Sequence, residues 1–485
     1  VKKKIGIALF WLVIATGFVF LFSYSTSPLY PTYYGNDSAQ FQTIGKCWLK
    51  GAVPYRDLFD HKGPWIFFIN MLGYLLTGTK YGIFLIQIVC MWISLYFLYK
   101  TAKYGLHRTG YALGTVLVSM FFLFLNYGEA NLTEEYCLPF ICASAYYIYV
   151  YFNEEYHQHS PKAAFLYGMA FCVCFYTRVT NCVLVAAGVL AITVSLIRYR
   201  EFKNLWQNIL GFLGGALTVF FSFAVYFATQ GALGDMLYGT FIFNLTYISD
   251  TTSWISEANR DTYISFIYIY FCAYSIFFTL FLAALRKKPG LAGWFLAAGI
   301  VEMYLYINSS LYYHYPMVVL PQFVFLVKEL MSSEEHRWIR WMKRGAMVVF
   351  LLFLIYGIRY YKGWLLNIEK YHTPYDEGYY DIVSLVPEEE KPLLMTYGGV
   401  RVKQVYLEND IVPLYPHFAI QAWHSSFNQK VRDTVHDEFA ACKAKWILAE
   451  QPYDGIADIL SEHYTLVVAE NGYELYCLRD EGEEE

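Results

Sequence analysis

The chain has 485 residues, of which 57% are hydrophobic, 20% aromatic and only 16% charged. Soluble domains carry about 25% charged residues. The shortfall here falls in blocks, which argues against one greasy soluble core and for many membrane spans. A net charge of −4 offers no basic footprint for nucleic acid, and no nucleic-acid partner is expected.

At the N-terminus, Lys2-Lys3-Lys4 precedes an apolar run over residues 5–24. That run is long for a signal peptide and no small-x-small site closes it cleanly, so it reads as an uncleaved first span with its basic end in the cytoplasm. Residues 25–64 are then outside. This polar stretch carries Gly35-Asn36-Asp37-Ser38 and Phe59-Asp60-His61-Lys62-Gly63-Pro64, and holds Arg56, Asp57, Asp60, His61 and Lys62 between two apolar runs. Charge fixed at a membrane surface in this way points to function. Residues 65–77 are apolar but short for a crossing and predict an interfacial or re-entrant helix.

The run 81–99 leads back inward to Lys100, Lys103, His107 and Arg108, and 111–127 returns outward. A short outer loop with Glu134 and Glu135 follows, then 136–152 inward, 165–177 outward to Arg178, and 183–197 inward to Arg198, Arg200 and Lys203. Residues 209–229 go out, 230–261 form a long outer segment, and 263–285 go in to Arg286-Lys287-Lys288. Residues 292–308 go out, 312–330 go in to Arg337, Arg340, Lys343 and Arg344, and 347–361 go out for the last time. A count of about eleven spans puts every basic cluster on the same side.

Residues 362–485 are more charged. Short strand patterns at 393–397, 446–449, 465–469 and 474–478, separated in part by helical patterns at 431–441 and 455–463, predict a small extracytoplasmic α/β domain. The division is thus a membrane domain over 1–361 and an exported domain over 362–485. The ten cysteines are scattered, mostly in apolar runs, without a Cys-x-x-Cys pair, which favours buried thiols over a zinc site. Cys442 and Cys477 are a candidate pair if their part of the chain is exported.

On this topology Asp37, the Asp57/Asp60/His61/Lys62 group, Glu134 and Glu135 all face outward, and Arg178 and His314 end spans on the same face. Carboxylates and cations at one membrane surface suit transfer from a lipid phosphate to a polar acceptor. A carboxylate can take the proton of an attacking hydroxyl, and cations can offset the phosphate that leaves. No soluble cofactor is required, while Asp57 and Asp60 leave a divalent metal open.

Asn36-Asp37 after the first span, Asp60-His61-Lys62-Gly63-Pro64 ahead of a short apolar helix, and Glu134-Glu135 in the second outer loop resemble the GT-C glycosyltransferases. The closest subgroup is the protein mannosyltransferase and aminoarabinose transferase type, often called family 39. The resemblance is best from the first span to about Arg178. It implies a mainly helical polytopic fold, a polyprenyl-phosphate-linked sugar donor, inversion at the sugar carbon, and an acceptor on the outer face of a bacterial plasma membrane. It matches Asp37 to the catalytic base, Glu134 or Glu135 to the second acid, and Lys62 to the donor-phosphate contact.

Two departures stand out: Asn36 where the family often has a second acid, and Gly63-Pro64 where it has two prolines. Each residue also has a plainer reading. Asp37 can be a helix cap, Lys62 a snorkelling lysine, and Asp57 and Asp60 partners of Arg56. Arg178, alongside His61 as a phosphate contact, can equally be a membrane-edge anchor, and His314, like Arg56, a substrate contact or an interfacial residue. The rival readings of the whole chain are a flippase of lipid-linked sugars and a non-catalytic glycan-binding scaffold.

Overall fold

The computed structural model describes residues 2–104, 106, 108–154, 156–245, 288–307, 312, 314–331, 378–398, 402–451 and 453–479, with a few positions between 340 and 355. In chain order the main helices are α1 (Lys2–Phe22), α2 (Asp37–Leu49), α3 (Pro64–Thr77), α4 (Tyr81–Lys103), α5 (Thr109–Tyr127), α6 (Thr133–Asn153), α7 (Pro161–Phe175), α8 (Val183–Arg198), α9 (Phe202–Thr229), α10 (Pro289–Ile307) and α11 (Leu320–Met331). Strands β1 (Leu394–Tyr397), β2 (Trp446–Glu450), β3 (Tyr464–Glu470) and β4 (Tyr473–Leu478) follow, with α12 (Gln421–Phe427), α13 (Gln429–Ala440) and α14 (Ala457–His463) among them.

Among the described residues, five segments are long and apolar enough to cross a membrane: Lys2–Phe22, Tyr81–Lys103, Thr109–Tyr127, Val179–Arg198 and Phe202–Thr229. The chain is a multi-pass membrane protein. The expected inward span at 263–285 and most of the last one at 347–361 lie outside the described residues. The expected single span over 312–330 is broken: a 3₁₀ turn, Tyr315–Val319, precedes the shorter α11. Pro316 opens that turn and Pro321 follows it. Each removes a backbone donor and disfavours helical geometry in the residue before it.

Contacts group the chain into two units. One comprises residues 1–23, 84–225 and 251–369, the other residues 24–83, 226–250 and 370–485. The first is held by a continuous apolar core that includes Trp11, Leu95, Phe122, Tyr167, Trp294 and Phe323. Trp294, fully buried there, donates its indole N–H to the Leu184 carbonyl at 2.9 Å.

In the second unit α2 packs against α3. Gly45 permits the close approach, since a Cβ there would lie 2.6 Å from the Asn70 Cβ and from the Met71 backbone nitrogen. Helix α3 starts with Pro64 in its first turn and stops at Gly78, whose left-handed backbone returns its N–H to the Tyr74 carbonyl at 2.7 Å.

The same unit holds a four-stranded sheet in the order β1-β2-β4-β3, with β1 parallel to β2 and the remaining pairs antiparallel. A parallel pair needs a crossover, and α12 and α13 lie in the connection from β1 to β2. Helix α13 buries Val431, Val435 and Phe439 at a spacing of one helical turn, and Asn428 caps it by accepting from the Val431 N–H at 3.2 Å. The four strand patterns read from the sequence fall on β1 to β4. Cys442 and Cys477 are both free thiols.

Candidate active site

The first cluster lies in the second unit, at the N-terminus of α2 and in the loop before α3. Asn36 occupies the N-cap position without a side-chain capping bond, and Asp37 is the first helical residue. A carboxylate there is favoured by the positive end of the helix dipole. Its side chain is about half exposed, and the Nζ of Lys403 lies 4.0 Å from its Oδ1. Lys403 itself is 1% exposed and reaches the Gln40 Oε1 at 3.3 Å. The other end of Gln40, Nε2, donates to Asp60 Oδ2 at 2.8 Å. Asp60 Oδ1 accepts the backbone N–H of Lys62 at 2.9 Å. One chain of polar contacts therefore runs from Asp37 through Lys403, Gln40 and Asp60 to Lys62.

The Lys62 Nζ lies 2.8 Å from His61 Nε2. An ammonium can only donate, so Nε2 accepts and the ring proton sits on Nδ1. That nitrogen is 3.5 Å from Asp60 Oδ1 and 3.5 Å from His424 Nε2. His424 is fully buried. Burial holds its pKa well below the usual imidazole value, and the nearby His417, Lys62 and Lys403 act in the same direction. Burial pushes the Asp60 carboxyl up. Lys62, through its charge and its N–H, and Lys403 work against that rise, and Asp37 adds to it.

The remainder of this unit fixes the loop from several sides. The Phe59 N–H donates to the Pro416 carbonyl at 2.8 Å, and the Phe59 ring lies 4.8 Å from that of His417. His417 Nδ1 is 2.8 Å from Glu438 Oε1. Asn244 Nδ2 donates to the His61 carbonyl at 2.7 Å. Gly239 lets the 226–245 segment press on the loop, because a Cβ there would sit 2.6 Å from the Tyr55 ring and 2.9 Å from the Asp60 carbonyl oxygen. Arg56 and Asp57 stand apart from Asp60. They form a two-point ion pair with both contacts at 2.8 Å, and Arg56 also donates to the Gln230 carbonyl at 2.9 Å. The Arg56 hydrogen bond holds the Asp57 carboxyl below its ordinary range.

The second cluster lies in the first unit. Glu134, in the first turn of α6, is fully buried. It accepts from Thr133 Oγ1 at 2.9 Å, with Arg178 Nη1 at 3.7 Å and His314 Nε2 at 3.9 Å. The Arg178 guanidinium lies 3.1 Å above the Tyr315 ring, a cation–π contact. Glu135 turns elsewhere. It accepts from Gln87 Nε2 at 2.9 Å, from the Asn131 N–H at 3.0 Å and from the Tyr127 hydroxyl. The two acids thus take separate roles, with Glu135 committed to holding α4, α5 and α6 together.

Among the described residues no group of three or more His, Cys, Asp or Glu side chains is arranged to hold a metal ion. Asp57 and Asp60, the candidates for such a site, face different partners. Four residues of the first cluster were not expected from the sequence. Gln40 stands one turn after Asp37 and helical spacing brings it to the same face, but Lys403, His417 and His424 carry no local signal at all.

The fold that positions these residues has counterparts among solved structures. It is similar along nearly its whole length to ArnT from Cupriavidus metallidurans. The match to the apo structure has a TM-score of 0.59 at 11% identity and covers 98% of each chain. The match to the structure bound to undecaprenyl phosphate has a TM-score of 0.56 at 12% identity and covers 97% of this chain and 98% of that one. By sequence, residues 2–367 match the family described as "Putative competence-induced protein Ccs4 N-terminal domain", and the chain belongs to that family. No curated protein sequence matches it.

Proposed function

We propose that the chain is a GT-C-type glycosyltransferase, of the family 39 kind, that moves a hexosyl or pentosyl unit from a polyprenyl phosphate to an acceptor at the outer face of a bacterial plasma membrane. The acceptor class comprises glycopolymers, lipids and protein hydroxyls. In this reading about eleven spans carry the chain, its N-terminus is cytoplasmic, and the segment at 25–64, α2 included, and the exported α/β domain at 362–485 lie outside. The observation that carries it is the joining of a half-exposed carboxylate, Asp37, to the backbone N–H of Lys62 through one buried polar chain, with the Lys62 ammonium held beside it on His61 Nε2. Support for the donor class comes from the fold shared with ArnT, one of whose structures is bound to undecaprenyl phosphate.

The acceptor O–H proton passes to the Asp37 carboxylate as the acceptor oxygen bonds to the sugar carbon. The bond from that carbon to the phosphate oxygen breaks, and its electron pair leaves with the polyprenyl phosphate. Lys62 offsets the charge that develops there. His61 orients the ammonium through Nε2. Arg178, Glu134 and His314 form a second ionic group, with Arg178 the phosphate contact and Glu134 the second acid of the sequence reading.

The test is incubation with a panel of polyprenyl-phosphate sugars and mass spectrometry of released carrier and products. Wild type releases carrier and forms product, and Asp37→Asn lowers the rate roughly 10²- to 10⁴-fold. Full transfer by Asp37→Asn rules out its role. A flippase reading draws on Glu302, buried within α10 and held by Gln322 Nε2 at 3.0 Å. Sugar moved across vesicles with no carrier released would favour it.

A further inference from the structure

The first cluster contains a buried lysine whose place in the chain no motif marks. We propose that Lys403 is a positioning residue of the active site: it sets the spacing between the carboxylate that takes the acceptor proton and the ammonium that meets the donor phosphate. The inference rests on the transferase reading above.

A buried ammonium is costly unless paired. Lys403, in the turn Val402–Gln404, places its charge between two groups of α2, Asp37 Oδ1 at 4.0 Å and Gln40 Oε1 at 3.3 Å. The second contact fixes the Gln40 amide. With Oε1 on the cation, Nε2 is left to donate to the buried Asp60 at 2.8 Å, and a flipped amide would put its NH₂ against the ammonium. Asp60 in turn accepts the backbone N–H of Lys62 at 2.9 Å, and so fixes the loop from which the Lys62 ammonium reaches His61 Nε2 at 2.8 Å. Each link of the chain has one polarity, so moving Lys403 moves Asp37 at one end and the backbone that carries the Lys62 side chain at the other. At 4.0 Å, with its side chain 48% exposed, Asp37 is oriented by Lys403 yet remains open to an incoming hydroxyl. Lys403 acts through Asp37 and Gln40 and is not assigned a contact with substrate.

The experiment uses the full chain in lipid nanodiscs with Lys403→Met, Lys403→Arg and Gln40→Leu. With a donor from the panel that wild type accepts, Lys403→Met lowers kcat roughly 10²-fold, the usual consequence of misplacing a group by about 1 Å. KM for the donor stays unchanged, Lys403→Arg recovers part of the loss, and Gln40→Leu shows the same split to a smaller degree. A raised KM with kcat intact would make Lys403 a phosphate ligand instead and overturn the proposal. So would wild-type kinetics in Lys403→Met.

If wild type releases carrier from no donor, the transferase reading fails by itself, and hydrogen exchange then decides the coupling. Lys403→Met is expected to raise exchange both at residues 37–40 and at residues 60–62. Exchange unchanged at 60–62 overturns the link, whatever the reaction. The Arg and Leu variants keep the test in force should Lys403→Met fail to fold.

Discussion

His424 illustrates how much one buried ring contributes to the chemistry around it. Its neighbours are His61, whose Nδ1 is 3.5 Å away, and the charged or titratable His417, Lys62 and Lys403. Burial and those charges keep the imidazole neutral in the folded chain, whereas in the unfolded chain it takes up a proton below about pH 6.5. Its contribution to stability is therefore present above that pH and lost as pH falls below it, at up to about 1.4 kcal/mol per pH unit. Asp60 works with the opposite sign, because a raised carboxyl pKa favours the folded state at low pH and loses that contribution as pH rises. Asp60 is common to wild type and to His424→Gln, so the difference between them isolates the ring. Denaturation curves from pH 8 to pH 5 are expected to converge as pH falls. Curves that stay parallel would show that the ring titrates alike in both states.

This residue also marks the limit of what the sequence could disclose. Asp37, Asp60, His61 and Lys62 could be named as candidates because one polar stretch, residues 25–64, between two apolar runs carries them all. Gln40 was within reach of helical spacing. His424 and Lys403 stand 363 positions from His61 and Gln40, and a single sequence holds no signal for a pairing at that range.

At the level of elements, the long apolar helices were the easiest to read, since a bilayer demands long apolar runs, whereas the polar helix α2 lay unread inside the outer stretch. The break at Pro316 was missed because hydropathy continues through it while backbone geometry does not. The short helix α3 was legible as too brief for a crossing, but what fixes it is a contact that the sequence does not advertise: the glycine of α2 lying on Asn70. Gly45→Ala places a methyl group 2.6 Å from both the Asn70 Cβ and the Met71 backbone nitrogen. Backbone cannot swing aside as a side-chain tip can, so α2 must shift. Overpacking of this kind costs about 1–3 kcal/mol. A lower unfolding midpoint in thermal scans, together with reduced transfer from a displaced Asp37, is the expected result. An unchanged midpoint would show that the α2–α3 interface yields freely.

For the whole molecule, hydropathy marks where composition changes, near residue 361, but says nothing of which distant segments share contacts. Three segments, 24–83, 226–250 and 370–485, make up one unit. The start of α2 and the loop before α3 are tied to the last of them through Lys403 on Asp37, Phe59 on Pro416 and His61 on His424. A detachable exported module would leave that loop intact when removed. A loop folded as part of a discontinuous unit would not, because Gln40 and Asp60 lose the buried cation beside them and Phe59 loses its carbonyl partner. Ending the chain at residue 377 is therefore expected to abolish transfer and to raise hydrogen exchange across residues 37–62, while α5, α6 and α8, which belong to the other unit, keep wild-type protection. Retained protection at 37–62 in the shortened chain would show that the loop folds without the sheet and that these contacts are incidental to it. Loss of protection throughout the molecule would instead reveal that the two units unfold as one cooperative body.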